Sequence, residues 1–431
     1  MMGPYFDALE TRSPQERERA LMAALARQIA HAKAHTEVFA ESLARVDPAA
    51  VTNRAALATL PVARKHGDFL QRQGERAKAG DVFGGYAAVG WNGLHAGRGT
   101  RRVFQSPGPI YEPEGHGGDF ERVARAMFAA GFRPGQLVHN TFSYHMTPAG
   151  AMMEAAAIVL GCTVFPGGVG NTELQLRAIA DLRPSCYVGT PSFLRTLVER
   201  AAGQGASPLS FRTALVSGEA FPPAARMWLK DAGIDAYQCY ATADLGLIAY
   251  ETEAREGMVV DEGVIVEIVR PGTGEVVPEG EVGELVVTSL NPDYPLIRFG
   301  TGDLSAILPG ACPTGRSNLR IKGWMGRADQ TAKVRGMFVH PSQVPAVMHR
   351  HPEIVRAGLV VAGGTVDGNW QADAMILRAE AAERHEGLAA SVAASIRDIT
   401  KLRGEVELCA LGSLPNDGKL IDDQRQIEPQ R

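Results

Sequence analysis

The stretch CYVGTPSFLRTLVERAAGQGASPLSFRTALVSGE, residues 186–219, reads as strand, helix, strand. Residues 186–189 are a short apolar run, 191–202 follow a helical pattern, and 212–216 are a second apolar run ending at Ser217-Gly218-Glu219. The same alternation continues on both sides. Strand-like runs at 136–142 and 163–165 are interleaved with helical runs at 150–160 and 172–182, and 222–233 is the next helix. Such a series predicts a parallel sheet covered by helices. The ends of its strands are where a ligand is expected.

Further out the texture changes. Upstream, residues 15–45 carry Leu21, Ala24, Leu25, Ile29 and Ala32 at three- and four-residue spacing, which predicts an amphipathic helix. A glycine-rich region, 80–118, precedes a helix expected over 120–130 that ends at Gly131. Downstream, VIVEIVRPGTGEVVPEGEVGELVVTSL (264–290) gives alternating apolar strands joined by Pro/Gly turns, with PGTG as a hairpin candidate. A polar, glycine-containing crossing near Asp329 then leads into about a hundred residues of mixed strand and helix. The expected class is α/β. Residues 1–328 form a large domain of parallel, helix-covered sheet plus an antiparallel β subdomain, and residues 329–431 form a small mobile α+β domain.

Composition narrows the partners. The 431 residues are 45% hydrophobic and 21% charged, with a formal charge of -4, which offers no broad basic field for nucleic acid or an anionic membrane. A small molecule is the expected partner. The five cysteines (Cys162, Cys186, Cys239, Cys312, Cys409) contain no CxxC pair, which argues against a disulfide framework and fits a reducing cytoplasm. The first twenty residues carry charges of both signs and no apolar core, so they do not read as a secretory signal. The longest apolar stretch, 149–170, is broken by Glu154, Pro166 and glycines, so no membrane span is expected.

Five segments carry the chemistry. They are Val216-Ser217-Gly218-Glu219-Ala220-Phe221; Tyr240-Ala241-Thr242-Ala243-Asp244-Leu245-Gly246; Arg298-Phe299-Gly300-Thr301-Gly302-Asp303-Leu304; Gly326-Arg327-Ala328-Asp329-Gln330 with Lys333-Val334-Arg335-Gly336 and Val339-His340-Pro341-Ser342-Gln343-Val344; and Leu414-Pro415-Asn416-Asp417-Gly418-Lys419. A lone Ser-Gly-Glu or Thr-Gly-Asp is a common turn. In this order and spacing the five resemble the adenylate-forming superfamily, and within it the phenylacetate-coenzyme A ligases, over most of the chain.

The resemblance implies an acid–thiol ligase that uses ATP, leaves AMP, and forms an acyl-adenylate and then a coenzyme A thioester. By it, residues 1–328 are the AMP-binding domain and 329–431 a lid. Ser217, Gly218, Glu219, Tyr240 and Ala241 would hold adenine, and Thr242 the α-phosphate. Asp244 would bind magnesium, and Asp303 would accept both ribose hydroxyls, since an ionised carboxylate offers acceptors to two vicinal donors. Arg327 would touch the nucleotide, Asp329 would be the hinge, and Gly336 would line the coenzyme A tunnel. Lys419 would bridge the carboxylate and α-phosphate as charge develops. Ala241 stands where the family has glycine and Asp244 where it has glutamate. The resemblance also allows an acyl carrier protein as acceptor and a homodimer as the assembly.

Two departures stand out. The phosphate loop is expected before residue 120, where the chain reads Gln105-Ser106-Pro107-Gly108-Pro109-Ile110-Tyr111-Glu112-Pro113-Glu114. Such a loop aims backbone N–H groups and a lysine at phosphate. Here three prolines each delete a donor, the lysine is missing, only Ser106 and Gly108 survive, and Glu112 and Glu114 are expected to repel polyphosphate. This loop motivates two alternatives, an ATP-independent acyl-thioester transferase and a noncatalytic nucleotide or acyl-thioester binding protein. The second departure concerns a cysteine-rich zinc site of several relatives, of which Cys312 is the lone remnant, so no structural zinc is expected. For the acid, Phe142, Tyr144 and His145 are expected at a strand end, with Phe142 and Tyr144 on one strand face, suited to an aromatic acid or another acyl acid.

Overall fold

The computed structural model describes residues 3–91, 99–205, 208–328, 332–339, 341, 343–366, 369–415 and 420–425, and elements counted below are those of these residues. The predicted alternation folds as the parallel part of a nine-stranded sheet. Its strands run in the order Thr163–Pro166, Leu137–Asn140, Cys186–Gly189, Thr213–Val216 and Asp235–Thr242, all parallel, then turn antiparallel through Gly246–Tyr250, Met258–Val260, Arg320–Ile321 and Ile307–Leu308. Side chains of one strand alternate between the two faces. Leu215 packs with Met127, Met153 and Val138, whereas its neighbours Ala214 and Val216 pack with Leu194, Leu197 and Phe211. Helices therefore cover both faces, and the loops after the strands open along one edge.

The second sheet is built from Val264–Val269, Gly283–Ser289 and Phe299–Ser305 as antiparallel neighbours, with Ala63–Arg64 added in parallel beside Phe299. The helix Pro14–His35 lays Leu25 and Ile29, both fully buried, into the same core as Val266, Leu285 and Phe299. The PGTG turn forms as expected, closed by Arg270 N–H to the Glu275 carbonyl at 2.7 Å, although its return run meets the sheet at a single bridge, Val269 to Val276.

Two helices are shorter than the periodicity predicts. The helix expected over 15–45 breaks at Thr36, whose hydroxyl accepts from Phe39 N–H and caps a separate helix, Glu37–Ser42. The helix expected from 120 starts at Ala124. Arg122 takes a left-handed φ of 64°, which takes the chain out of helical geometry there, and Asp119 accepts from Val123 and Ala124 N–H at 2.9 and 2.8 Å. Arg122 is held out of the helix by Asp261 and by the carbonyls of Leu245 and Leu247.

Beyond residue 331 a hairpin, Ala332–Val334 with Met337–Val339, leads to a sheet ordered Glu405–Cys409, Asn369–Ala381, Ile354–Val366, Ile421–Asp423. The helices Gln343–His349 and Leu388–Thr400 complete a core drawn only from residues 332–421. No helix among the described residues is long and apolar enough to cross a membrane.

Candidate active site

The loop after Thr213–Val216 is tied down by its own side chains. Ser217 Oγ donates to the Cys239 carbonyl at 2.8 Å, joining it to the neighbouring strand. Gly218, at φ +87°, would carry a Cβ 3.6 Å from Thr190 Cγ2 and 3.7 Å from Phe142 Cε1, so the turn lies close over both. The Glu219 carboxylate accepts from Ser192 Oγ at 2.8 Å and Ser192 N–H at 3.2 Å, at the first turn of the helix Pro191–Gly203. Burial nevertheless pushes its pKa up to about 6.

Asp303, on the Phe299–Ser305 strand, gathers three side chains. Tyr240 donates its hydroxyl to Oδ2 at 2.6 Å, while Trp324 Nε1 and Arg327 Nη1 donate to Oδ1 at 3.0 and 2.9 Å. A carboxylate has about four acceptor sites, so both ribose hydroxyls can be accepted only if a protein donor gives way. Arg327 also donates to the Thr301 carbonyl at 3.0 Å and lies over Gly302, where a Cβ would meet its Nη2 at 2.6 Å. Gly302 has φ +72°, so glycine is required there twice over. Burial and the Asp303 charge hold the Tyr240 phenol well above its usual range, which keeps it a donor.

The Tyr240–Asp244 loop meets a lysine that the motif reading missed. Lys65 Nζ lies 2.6 Å from Asp244 Oδ2, and their side chains are only 14% and 1% exposed. Burial disfavours the ammonium, but the carboxylates of Asp244 and Glu112 outweigh it and raise the lysine pKa. Thr242 Oγ1 accepts from Leu245 N–H at 3.2 Å, and Ala241 continues the strand. Asp244 Oδ1 is buried without a hydrogen-bond partner. That oxygen fits one bond to a hard cation whose other ligands are phosphate and water. Among the described residues no group of three or more His, Cys, Asp or Glu is placed to hold a metal. Cys312 lies buried beside Thr314.

The segment expected as a phosphate loop is a hairpin, Arg102–Ser106 with Ile110–Glu114. Ser106 Oγ donates to Glu112, and a Cβ on Gly108 would meet Ile110 Cγ1 at 2.8 Å. Glu112 and Glu114 do not present the free charge that was expected to repel polyphosphate. Burial, then the nearby Asp244 charge, pushes Glu112 up to about 8, so it keeps its proton at neutral pH. Glu114 is buried and lies 3.4 Å from both Arg101 and Arg102. Glu112 and Asp244 line a small cleft with Phe104, Phe120, Glu121 and Asn291.

The expected aromatic strand face is not formed. The strand ends at Asn140, whose side chain accepts from Phe142 N–H and so turns the chain. Phe142 is buried against Gly218, Tyr144 points elsewhere and donates to Glu154 at 2.8 Å, and His145 is exposed. Of the three, Phe142 alone lies against the Ser217–Glu219 turn.

From the C-terminal segment, the turn at Gly336 comes down on the same place. At φ +81°, its Cβ position is 3.9 Å from both Glu219 Oε1 and Thr190 Cγ2. Lys333, which the motif reading quoted without giving it a role, is half-buried on the same hairpin; burial lowers its pKa, against the pull of Asp303 and Glu219. Asp329 and Lys419 lie outside the described residues.

Comparison with known proteins points one way. A family model described as AMP-binding enzyme matches residues 121–291. A phenylacetate-coenzyme A ligase of Thermus thermophilus is 37% identical over 243 residues, 54% of this chain and 55% of that one. Another, from Aromatoleum evansii, is 31% identical over 304 residues, 67% of this chain and 68% of that one. The chain thus spans about half the length of most of the curated ligases it matches. In structure, a 2-hydroxyisobutyryl-CoA ligase in complex with 2-HIB-AMP and CoA in the thioesterification state superposes with a TM-score of 0.84 at 23% identity, covering 99% of this chain and 93% of that one. The same ligase in its postadenylation state gives 0.70.

Proposed function

Because this chain belongs to the AMP-binding, adenylate-forming enzymes of the phenylacetate-coenzyme A ligase group, we propose that it joins an aryl or acyl acid to coenzyme A. The acid's carboxylate oxygen attacks the α-phosphorus of ATP and pyrophosphate leaves. The thiol sulfur then attacks the acyl carbon, and AMP leaves with the electron pair of the broken C–O bond.

The observation that carries this reading is the cluster on Asp303, where Tyr240, Trp324 and Arg327 converge on one buried carboxylate. In our reading Tyr240 and Ala241 flank adenine and Asp303 takes the ribose, with Arg327 released toward phosphate. Thr242 meets the α-phosphate, and Phe142 with Gly218 walls the acid. Magnesium held at Asp244 Oδ1 would neutralise phosphate charge as pyrophosphate departs. Lys65 supplies beside Asp244 the cation that the hairpin lacks. Lys419 acts in the first step and Asp329 is the hinge. Gly336, over Glu219 and Thr190, borders the path of the pantetheine arm, a reading supported by the closer superposition on the thioesterification state. The ATP-independent alternative drew on the loop's three prolines, its missing lysine and its two acids; of these the acids lose their force, because Glu112 is held neutral and Glu114 is paired with Arg101 and Arg102.

Titration calorimetry with MgATP and with AMP tests the nucleotide site. Binding of both, lost in Asp303→Ala, is expected; binding of AMP without ATP would move the reading to the triphosphate-independent alternative.

A further inference from the structure

We propose that Lys333 is the proton acceptor of the thioester-forming step, an inference that rests on the ligase reading above. Ala332 and Val334 are 1% and 0% exposed and belong to the C-terminal core. Successive side chains of a strand point to opposite faces, so Lys333 between them points out of that core. The turn of the same hairpin, at Gly336, comes down on Glu219 and Thr190 at the N-terminal strand ends, and the charges that act on the Lys333 ammonium are those of Asp303, Glu219, Lys65 and Arg327.

The hairpin is held in this pose by its own anchor. Arg425 donates to the Lys333 carbonyl at 2.8 Å and is itself paired with Asp373 and Asp423 at 2.7 and 2.5 Å. Three residues on, the turn at Gly336 abuts Glu219 and Thr190. Lys333 and Gly336, which borders the expected thiol path, therefore belong to one anchored hairpin. A lysine head is normally kept in water. Here burial disfavours its charged form, and Lys65 and Arg327 add to that against the two carboxylates. A half-buried amine whose charged form is disfavoured is suited to accept a proton.

The step balances without a further reactant. The thiol proton passes to Lys333 Nζ as the S–C bond forms, the acyl C–O bond to the α-phosphate breaks, and AMP takes the electron pair. The ammonium returns its proton to solvent when the hairpin withdraws. Because Lys333 comes from the C-terminal segment, it serves only the arrangement in which that hairpin is docked.

The test uses the full chain, synthetic phenylacetyl adenylate and coenzyme A in single-turnover mixing, with phenylacetate-dependent ATP–pyrophosphate exchange as the readout of the first step. Lys333→Met and Lys333→Arg are both expected to lose roughly 100-fold or more in thioester formation, the usual worth of a general base, with exchange largely kept. The wild-type rate of thioester formation is expected to climb with pH along a limb that Lys333→Met lacks. An unimpaired Lys333→Arg enzyme would overturn the proposal, because an arginine cannot accept the proton. Equal loss of both half-reactions in Lys333→Met, or no loss, would overturn it too. Failure of the wild type to turn over the adenylate with coenzyme A would instead reject the ligase reading, and this inference with it.

Discussion

Lys65 Nζ and Asp244 Oδ2 lie 2.6 Å apart across 179 positions of sequence. The pair joins the segment after the Ala63–Arg64 strand to the loop after Asp235–Thr242, which fixes the second sheet against the first at the cleft. Removing one partner of a buried pair leaves the other charge uncompensated, at a cost of about 3 kcal/mol. Lys65→Met is therefore expected to lower thermal stability by about that amount, and adding Asp244→Asn should recover most of it. Melting curves of the single and double variants check this; a double variant no better than Lys65→Met would contradict it.

Glu112 makes stability depend on pH in a definite direction. In the unfolded chain it loses its proton near the ordinary value of about 4.3; in the fold it holds the proton up to about 8. Across that window the native state binds more protons than the unfolded state, so stability falls as pH rises and levels off above the upper value. Glu112→Gln keeps the acceptor for Ser106 and has no proton to lose. Denaturant melts from pH 5 to 8.5 should show a smaller decline in that variant than in the wild type.

Competition at Asp303 gives a third test. Tyr240→Phe removes a donor from Oδ2 without touching Trp324 or Arg327. Hydrogen bonds to a charged group contribute about 1.5–3 kcal/mol, so Asp303→Ala should weaken AMP binding roughly tenfold to a hundredfold. Tyr240→Phe should weaken it far less, because it frees an acceptor for ribose while losing only the hydroxyl of a stacking ring. Calorimetric titration with AMP separates the two; equal losses would place the nucleotide away from the carboxylate.

Gly336 separates tunnel from scaffold. Gly336→Trp is expected to abolish coenzyme A thioester formation while leaving adenylate formation in place. Gly336→Ala, which carries the same left-handed strain but adds a Cβ only 3.9 Å from its neighbours, should retain much of the activity. Steady-state kinetics against coenzyme A for both variants checks this, and an active tryptophan variant would remove Gly336 from the thiol path.

Much of the scaffold was legible because it is local. The 172–182 helix and the 186–189 strand follow from periodicity alone, since each buries one face against a sheet built from its neighbours in sequence. Thr36 was hidden in an unbroken apolar pattern, because a cap depends on a hydroxyl reaching back to one N–H rather than on hydrophobic spacing. The cluster at Asp303 combines residues from three of the motifs, Tyr240, Asp303 and Arg327, and motif order brought them to notice together, whereas Trp324 belongs to none of them. Lys65 was not legible, since nothing in Ala63-Arg64-Lys65 announces a partner 179 positions away. Lys333 lies within a motif that assigned it no role, and the direction of its side chain follows only from the register of the hairpin and the burial of Ala332 and Val334. Glu112 reads as an anion in the sequence, and only burial beside Asp244 makes it a neutral carboxyl.

The central claim is that this chain makes thioesters from acids at the expense of ATP. The most direct measurement is mass-spectrometric detection of acyl-coenzyme A and AMP after incubating the purified protein with MgATP, coenzyme A and a panel of aryl and short acyl acids. The account predicts a thioester and one equivalent of AMP for at least one acid, both lost in Asp303→Ala. Folded protein that binds AMP yet yields neither product from any acid of the panel would contradict it.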